Sequence, residues 1–564
     1  MPGVCRDRPA IPPIPTATAD SVRAVTGLLR ANLVVASGTA LSRLTGLARI
    51  MVFAYAIGQT ALADAYKLAN ETPNIVYDLL LGGVLSATLV PVLSSIIRVD
   101  DRDELDGAGR RSVDAVVTTV LLASAFVTVL AVLAAPAIFR VYALTPAPDV
   151  DPEVFRAAGT ALTRLFALQI LFYGTTGVMN ALLNARRRFA AAAWSPVIAN
   201  LVVIGALLTL PGIGTSRWEI GDVGSVARLR WTLGLGATLG VAAMAAVVWV
   251  AVARSGLRLR PRWAPNDPAV RRVARMGGWT LGFVIANQLA LVVVRNLAEP
   301  GSSLASAYVD AFILFVLPHG LLAVSIATTL QPELARAVTA GDRPHFADRM
   351  GLGVRSIVAL TAPAAAGMVA LAPRLVAALM ERGQFDAGDT ANTTAALRGL
   401  AIGLVGFSVY LFALRGFYAH DDTRTPFWLN VGENGLNVVL ALLLVGPLGV
   451  FGLGLALAIA YLVSAVIALV VLDRRHGHRI GPPLVRPVIA MITAAGVALA
   501  AMSLIGRAIG SSPSGPAAGL AVIGAIGVSG AAVYAALLVA LRVDGVGPVL
   551  DRVRTAAGRG RRGG

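Results

Sequence analysis

The segment "ADAYKLANETPNIVYDLLLGG" (63–83) combines ionisable and amide side chains with long apolar flanks. Asp64, Lys67, Glu71, Asn74 and Asp78 lie three or four positions apart along it. On one α-helix this spacing places them within an arc of about 80°. Carboxylates, an ammonium group and an amide on one face can bind a charged ligand through ion pairs and hydrogen bonds. This polar stripe therefore predicts a helix face that contacts water, ligand or protein and not lipid.

A ladder of ion pairs within the helix, from Asp64 to Lys67 and from Lys67 to Glu71, is the alternative interpretation. Such a ladder would only hold helices together. The segment also contains Asn70, and it has more polar groups than are needed to hold helices together. We therefore expect the polar stripe to line a cavity, beside which a kink at Pro73 is tolerated.

The preceding apolar stretch carries Arg43 and Arg49. The planar guanidinium group suits phosphate, so a cationic pair in a cavity favours an anionic headgroup. Ideal helical geometry separates the two by about 120°, so both face one cavity only if the helix bends, with Gly46 as the expected position. The alternative, which applies most to Arg43, is that the side chain extends to the cytoplasmic lipid headgroups.

A second polar cluster lies towards the C-terminus, where Asn430, Glu433, Asn434 and Asn437 fall within about 100° of one helix face. A carboxylate among amide oxygens can bind a small hard cation such as Na⁺, although amides also hold membrane helices together. We treat this cluster as a candidate cation site. Other polar residues expected within the membrane are Asn287, Gln288, Arg295, Asp310 and Arg415.

Membrane-spanning helices must position these residues. The 564-residue chain is 56% hydrophobic and 14% charged, with a mean hydropathy of +0.74. Apolar stretches of about 20 residues recur along it, which predicts an all-α polytopic membrane protein. We expect about fourteen transmembrane helices, centred near residues 42, 82, 126, 170, 202, 242, 284, 320, 360, 404, 435, 460, 496 and 529.

Arginines are concentrated in the connections that follow even-numbered spans, such as 186–188 and 254–275, and in both terminal tails. By the positive-inside rule both termini are cytoplasmic. The net charge of +17 is then explained by topology and anionic lipids, and we expect no nucleic-acid partner.

The chain has no phosphate-loop or nucleophile-elbow pattern, and its five histidines lack zinc-ligand spacing. Its single cysteine, Cys5, precludes an intrachain disulfide. We therefore expect neither enzymatic activity nor a cofactor, and no cleavable signal peptide.

Two matches at a single offset predict an internal duplication. Pro136 and Pro373 lie 237 positions apart in similar segments, as do Asn200 and Asn437. Two six-helix halves in the same orientation, meeting at a central cavity, are a common transporter plan. The expected domains are a tail (1–28), a first bundle (29–255), a linker (256–268), a second bundle (269–473), two further helices (484–542) and a C-terminal tail (543–564).

Several motifs together resemble the MurJ/MviN family of lipid II flippases, within the multidrug/oligosaccharidyl-lipid/polysaccharide exporter superfamily and most like its actinobacterial branch. They are "SRLTGLAR" (42–49), "DAY…PN…GG…VPVL" (64–93), "LLNARRRF" (182–189), "ERGQFDAGDT" (381–390) and "RGFYAHDDTRTP" (415–426). The last of these is the most specific.

The resemblance implies export of an undecaprenyl-pyrophosphate-linked peptidoglycan precursor across the cytoplasmic membrane, for cell-wall synthesis. The headgroup would enter a cationic cavity between the halves, and the last two helices would hold the lipid tail. Alternating access would be driven by membrane potential or a cation gradient such as Na⁺, and cell-wall synthesis proteins are expected partners. Arg43, Arg49 and Asp64 match functional positions of the family, and the 430–437 cluster lies where the family can hold sodium.

The chain departs from many relatives at two places. Tyr77, Asp78 and Gly82 stand where those relatives carry an arginine pair and a glutamate, and the eighth helix offers Asp310 but no basic residue. We expect Lys67 and Arg295 to supply the missing charge. The alternatives are a flippase for another undecaprenyl-linked glycan, a cation-coupled drug or metabolite antiporter of the same superfamily, and a non-transporting scaffold.

Overall fold

The computed structural model describes residues 19–77, 89–97, 107–186, 188–477, 482–510 and 515–543, and this part of the chain is helical without strands. Asp78 lies outside it, as do the two terminal tails. The helices are α1 (Ala19–Ile57), α2 (Ala61–Tyr77), α3 (Val90–Ile96), α4 (Gly107–Tyr142), α5 (Pro152–Ala167), α6 (Gln169–Ala185), α7 (Ala190–Leu208), α8 (Asp222–Ser225), α9 (Ala227–Ala253), α10 (Pro268–Leu297), α11 (Leu304–Pro318), α12 (Val324–Thr339), α13 (Arg343–Met380), α14 (Ala387–Ile402), α15 (Leu404–Ala419), α16 (Arg424–His476), α17 (Pro482–Ile509) and α18 (Pro516–Ala540).

Ten of the described helical segments are long and apolar enough to cross a membrane, or eleven if the bent pair α14–α15 is one span. The chain is therefore a multi-pass membrane protein, while the count of fourteen spans remains a prediction. Part of the difference lies in α16, which covers two expected spans in 53 residues. Its backbone leaves helical geometry at Gly449, where a φ of 56° favours glycine.

The two halves follow the same helical plan, in agreement with the predicted duplication. α5 begins at Pro152 and α14 at Ala387, an offset of 235 positions, and the same offset relates the starts of α6 and α15. Each pair is interrupted by a single residue, Leu168 in the first half and Gly403 in the second. The long helices α4 and α13 occupy equivalent places before these pairs.

Apolar side chains build separate cores within each half. Phe139, Phe155 and Phe166 are fully buried in one cluster of the first half, and Phe346 and Phe417 in one of the second. Helix α1 also contacts the second half, because Ala54 is buried in the core formed by α11, α13, α14 and α16. Helix α2 contacts α10 and α11 of the second half, so the halves meet along α1 and α2, which carry many of the predicted polar residues.

Candidate functional site

A cavity of about 350 Å³ lies where the two halves meet. We call it the central cavity. Arg49, Lys67 and Glu71 of the first half and Asp310 of the second contribute charged groups to its wall. The amides of the wall are Asn70, Asn74, Gln169 and Asn200, and its apolar part includes Phe53, Tyr66, Val203 and Met244. The site thus presents a charged surface inside a protein whose exterior is largely apolar.

Lys67 is paired across the boundary between the halves. Its Nζ donates to Asp310 Oδ2 at 2.7 Å and to the Ser306 carbonyl at 3.3 Å. The two side chains are only 11% and 4% exposed, so each charge is neutralised away from bulk solvent. Lys67 also lies 5.5 Å from the centre of the Phe53 ring, a distance typical of a cation–π contact.

Glu71 is paired with the second half in the same way. Its Oε1 accepts from Arg295 Nη2 at 2.5 Å and from Nε at 3.1 Å. The guanidinium carbon of Arg295 lies 5.5 Å from the Tyr308 ring centre. Lys67 and Glu71 therefore take partners from α11 and α10, and the ladder of ion pairs within α2 is not formed.

Asp64 caps a helix of the opposite half. It is fully buried, and its Oδ2 accepts from the backbone N–H groups of Gly301 at 2.9 Å and Ser303 at 3.0 Å, while Oδ1 accepts from Ser306 at 2.7 Å. Ser303 precedes α11 in the left-handed conformation, and its own side chain does not cap the helix. A carboxylate at a helix N-terminus satisfies free N–H groups and interacts favourably with the helix dipole. Asp64 lies outside the wall of the central cavity.

The turn between α1 and α2 completes the contact between the halves. The Gln59 N–H donates to Asp389 Oδ2 at 3.0 Å, and its Nε2 donates to Thr393 Oγ1 at 2.5 Å. Nearby, the Gln384 N–H donates to the Tyr55 carbonyl at 3.1 Å. We call these contacts, with the Asp64 cap and the two ion pairs, the polar seam. Sequence analysis missed Gln59 because it lies in a turn, where no helical periodicity marks a polar residue.

Arg43 and Arg49 occupy different positions along α1. Both are exposed, but only Arg49 lines the central cavity. Arg43 approaches the second half at Gly320, where an added Cβ atom would lie 3.8 Å from its Nη2 atom. Neither arginine makes a hydrogen bond or ion pair with the described part of the chain. Both guanidinium groups are therefore available to an anionic ligand.

Gly320 belongs to a π-helical segment, His319–Ala323, that connects α11 and α12. Within it the His319 Nδ1 is 3.0 Å from the Ser408 hydroxyl. Arg415, a predicted site residue, donates from Nη1 to Gln331 Oε1 at 2.5 Å and is not part of the cavity wall. Asn74 remains at the cavity, where its Oδ1 accepts from the Tyr173 hydroxyl at 3.3 Å.

The candidate cation site forms a buried cluster between α10 and α16. Asn287 Oδ1 accepts from Asn430 Nδ2 at 3.1 Å and from Asn434 Nδ2 at 2.8 Å. Asn430, Glu433 and Asn437 are 4%, 2% and 5% exposed. The side-chain oxygens Asn430 Oδ1, Glu433 Oε1 and Asn437 Oδ1 are buried without a hydrogen-bond partner in the described structure. Such oxygens fit the ligand preference of a small hard cation.

Residues 53–512 match the family model for the lipid II flippase MurJ. A probable lipid II flippase MurJ of Rhizobium meliloti (strain 1021) is 30% identical over 480 residues, covering 84% of this chain and 86% of the relative. A lipid II flippase MurJ of Burkholderia cenocepacia is 28% identical over 471 residues, covering 83% of this chain and 88% of the relative.

The fold is similar to that of solved transporters. A structure of the lipid II flippase MurJ in an inward closed conformation has a TM-score of 0.70 at 18% identity, covering 90% of this chain and 99% of that one. An inward-facing multidrug resistance MATE family transporter has a TM-score of 0.61 at 14% identity, covering 79% of this chain and 98% of that transporter. At these identities the likeness concerns the fold alone.

Proposed function

The chain belongs to the MurJ family of lipid II flippases, and we propose that it moves lipid II across the cytoplasmic membrane by alternating access. The observation that carries this proposal is the charged central cavity at the boundary between two similar helical halves. A pyrophosphate-linked headgroup needs cationic groups in a polar space, while its polyprenyl chain can stay in lipid. Arg49 lines this cavity and Arg43 lies outside its wall, six residues earlier on α1. Neither side chain has a partner in the described structure, and both would bind the pyrophosphate as the headgroup passes.

The polar seam closes one end of the cavity. It includes the α1–α2 turn, and the distribution of arginines supports an extracytoplasmic position for this turn. A cavity of about 350 Å³ is near the lower limit for a drug-sized ligand, about 300–1,000 Å³, and a headgroup with two sugars and a peptide is larger. The cavity as it stands is too small for the whole headgroup, so we propose that the halves separate further when the headgroup enters or leaves.

Separation of the halves would expose the paired charges to water in the open cavity. Water would then hydrate the four charged groups, which belong to Lys67, Glu71, Arg295 and Asp310. The charges are thus stabilised by pairing when the halves are together and by hydration when they are apart. The pairs can alternate between contacts with each other and contacts with solvent or headgroup. This gives the polar stripe a role in both states and explains why charge is retained within the membrane.

The cluster of Asn287, Asn430, Glu433 and Asn437 is the proposed site for a coupling cation such as Na⁺. It lies in the second half, and Asn287 and Arg295 belong to the same helix, α10. A cation bound there would affect the position of α10, whose Arg295 side chain is paired with Glu71 of α2. Membrane potential is the alternative driving force. The chain's partners would be the lipid-linked precursor, membrane lipids and proteins of cell-wall synthesis.

The test is translocation of labelled lipid II in liposomes under an imposed potential or sodium gradient. We expect the wild type to expose the headgroup in the opposite leaflet and the R43A/R49A variant to lose this activity. R254A/R272A is the matched control, because it removes two exposed arginines that do not line the central cavity. No transport by folded wild-type protein would contradict the proposal, as would full activity of R43A/R49A.

A further inference from the structure

A second cavity, of about 420 Å³, lies within the second half, away from the polar seam. It is bounded by the α12–α13 turn, the α15–α16 turn and the end of α16, which the arginine distribution places on the cytoplasmic side. We call it the basic cavity. Its polar wall consists of Asp342, Arg343, His420, Arg474, Arg475 and His476.

The basic cavity has more positive than negative groups. Asp342 is its one carboxylate among the lining residues, and that side chain already accepts from the His345 N–H at 3.0 Å, capping α13. Arg475 is held by its Nη1 donation to Thr425 Oγ1 at 2.7 Å and by Asp422, 3.5 Å from its Nε. The side chains of Arg343 and Arg474 are exposed and make no hydrogen bond or ion pair with the described part of the chain.

Two histidines stack within this wall. The rings of His420 and His476 are 3.8 Å apart at an interplanar angle of 24°. Nδ1 of His420 lies 2.8 Å from the Gly416 carbonyl, which can only accept, so Nδ1 is the protonated nitrogen. Positive charge on both stacked rings would be unfavourable at this distance, and a nearby anion would offset that repulsion.

The motif "RGFYAHDDTRTP" (415–426) builds one side of the cavity. Asp421 turns the chain with a φ of 56°, and Asp422 then accepts from the Thr425 N–H and hydroxyl at 3.0 and 2.6 Å. Partial burial acts to raise the pKa of Asp422, but the Thr425 hydrogen bonds and the Arg475 charge outweigh it and lower that pKa below 3.8. The carboxylate therefore stays ionised and fixes Arg475 beside His420.

Helix dipoles do not account for the whole arrangement. Arg474, Arg475 and His476 lie in the last turn of α16, where cations are favoured. Arg343, in contrast, is the first residue of α13, where the dipole disfavours a cation. A ligand with negative charge would stabilise Arg343 together with the residues of α16.

We propose that the basic cavity binds a phosphate group, supplied either by an anionic lipid headgroup or by a soluble phosphate. Guanidinium groups match phosphate oxygens in geometry and charge, and basic pockets between membrane helices bind anionic headgroups. The bound phosphate would connect the start of α13 with the end of α16. This site is separate from the central cavity, and binding there does not depend on the proposed transport activity.

The test uses the full-length protein in neutral detergent. Native mass spectrometry counts bound phosphatidylglycerol, with phosphatidylcholine as the zwitterionic comparison, and equilibrium dialysis measures binding of radiolabelled inorganic phosphate. The variant is R343Q/R474Q, which removes two exposed arginines without disturbing a buried core. The matched control is R254Q/R272Q, which removes the same charge from two exposed positions outside the basic cavity.

We expect R343Q/R474Q to bind the phosphate ligand about tenfold more weakly or worse, while the control binds as the wild type does. A loss seen only with phosphatidylglycerol identifies the lipid headgroup as the source, and a loss with inorganic phosphate identifies a soluble ligand. Equal binding by R343Q/R474Q and wild type would overturn the proposal. An equal loss in the control, or no binding of either probe to the wild type, would also overturn it.

Discussion

Substitution of Asp64 tests the polar seam directly. Its carboxylate accepts three backbone N–H groups at the start of α11, at 2.7–3.0 Å. The D64N variant keeps the size of the side chain but replaces one oxygen with an NH₂ donor. In either orientation of the amide, at least one backbone N–H then faces another donor. The variant should weaken the contact between the halves on the side of the α1–α2 turn.

The expected magnitude follows from the lost hydrogen bond. A hydrogen bond to a charged group contributes about 1.5–3 kcal/mol. Because about 1.4 kcal/mol corresponds to a factor of ten, D64N should shift the balance between closed and open states about 10- to 150-fold towards the open state. The shift should lengthen the distance between the two halves at this end.

Distances between spin labels would measure this shift. Cys5→Ser removes the native thiol, and cysteines replacing Ser225 and Ala391 place labels at exposed positions of the two halves. D151N is the matched control, because Asp151 caps α5 within its own half through the Glu153 and Val154 N–H groups. An unchanged distance distribution in D64N, or an equal change in D151N, would refute the assignment of Asp64 to the seam.

Three further predictions concern stability and cation binding. K67M and D310N should each lower the thermal midpoint more than the double variant does. Each single change leaves one buried charge unpaired, which destabilises the fold by about 3–5 kcal/mol. A lower midpoint for the double variant than for either single variant would contradict this. We expect sodium to raise the midpoint of the wild type and E433Q to abolish that rise, and persistence of the rise in E433Q would exclude Glu433 as a ligand. G159A should lower the midpoint, because a Cβ there would lie 1.9 Å from the Phe139 ring and overpacking costs about 1–3 kcal/mol; an unchanged midpoint would show that the ring can move.

Local periodicity predicted the face of α2 but not its partners. The spacing of Lys67, Glu71 and Asn74 placed them together, and all three line the central cavity. The partners Asp310 and Arg295 lie 243 and 224 positions away in the chain. Helical spacing contains no information about pairing over such separations, so the within-helix ladder remained open until the fold was known.

The position of Asp64 shows a second limit. It shares the polar stripe with Lys67, yet it is one turn closer to the α1–α2 turn, where the halves approach more closely. There the N-terminus of α11 supplies donors at hydrogen-bond distance and no space remains for a cavity. Sequence periodicity gives the direction of a side chain, while the width of the gap that it enters depends on tertiary packing.

The prediction of the number of membrane spans was limited by a different effect. Apolar composition identifies helices, but Gly449 separates two expected spans within the single element α16, and the segment 78–88 lies outside the described residues. The family resemblance added what composition could not, namely the class of substrate. The basic cavity could not be predicted, because its residues come from three separate turns.

The central claim is that the halves must separate at the polar seam for lipid II to cross the membrane. Backbone contact between Tyr55 and Gln384 keeps their Cα atoms within about 7 Å, near the limit for a disulfide. Cysteines replacing both residues in a Cys5→Ser background allow the seam to be closed by oxidation and reopened by reduction. We predict that liposome translocation of lipid II stops on oxidation and returns on reduction. Undiminished translocation by fully cross-linked protein would contradict the account.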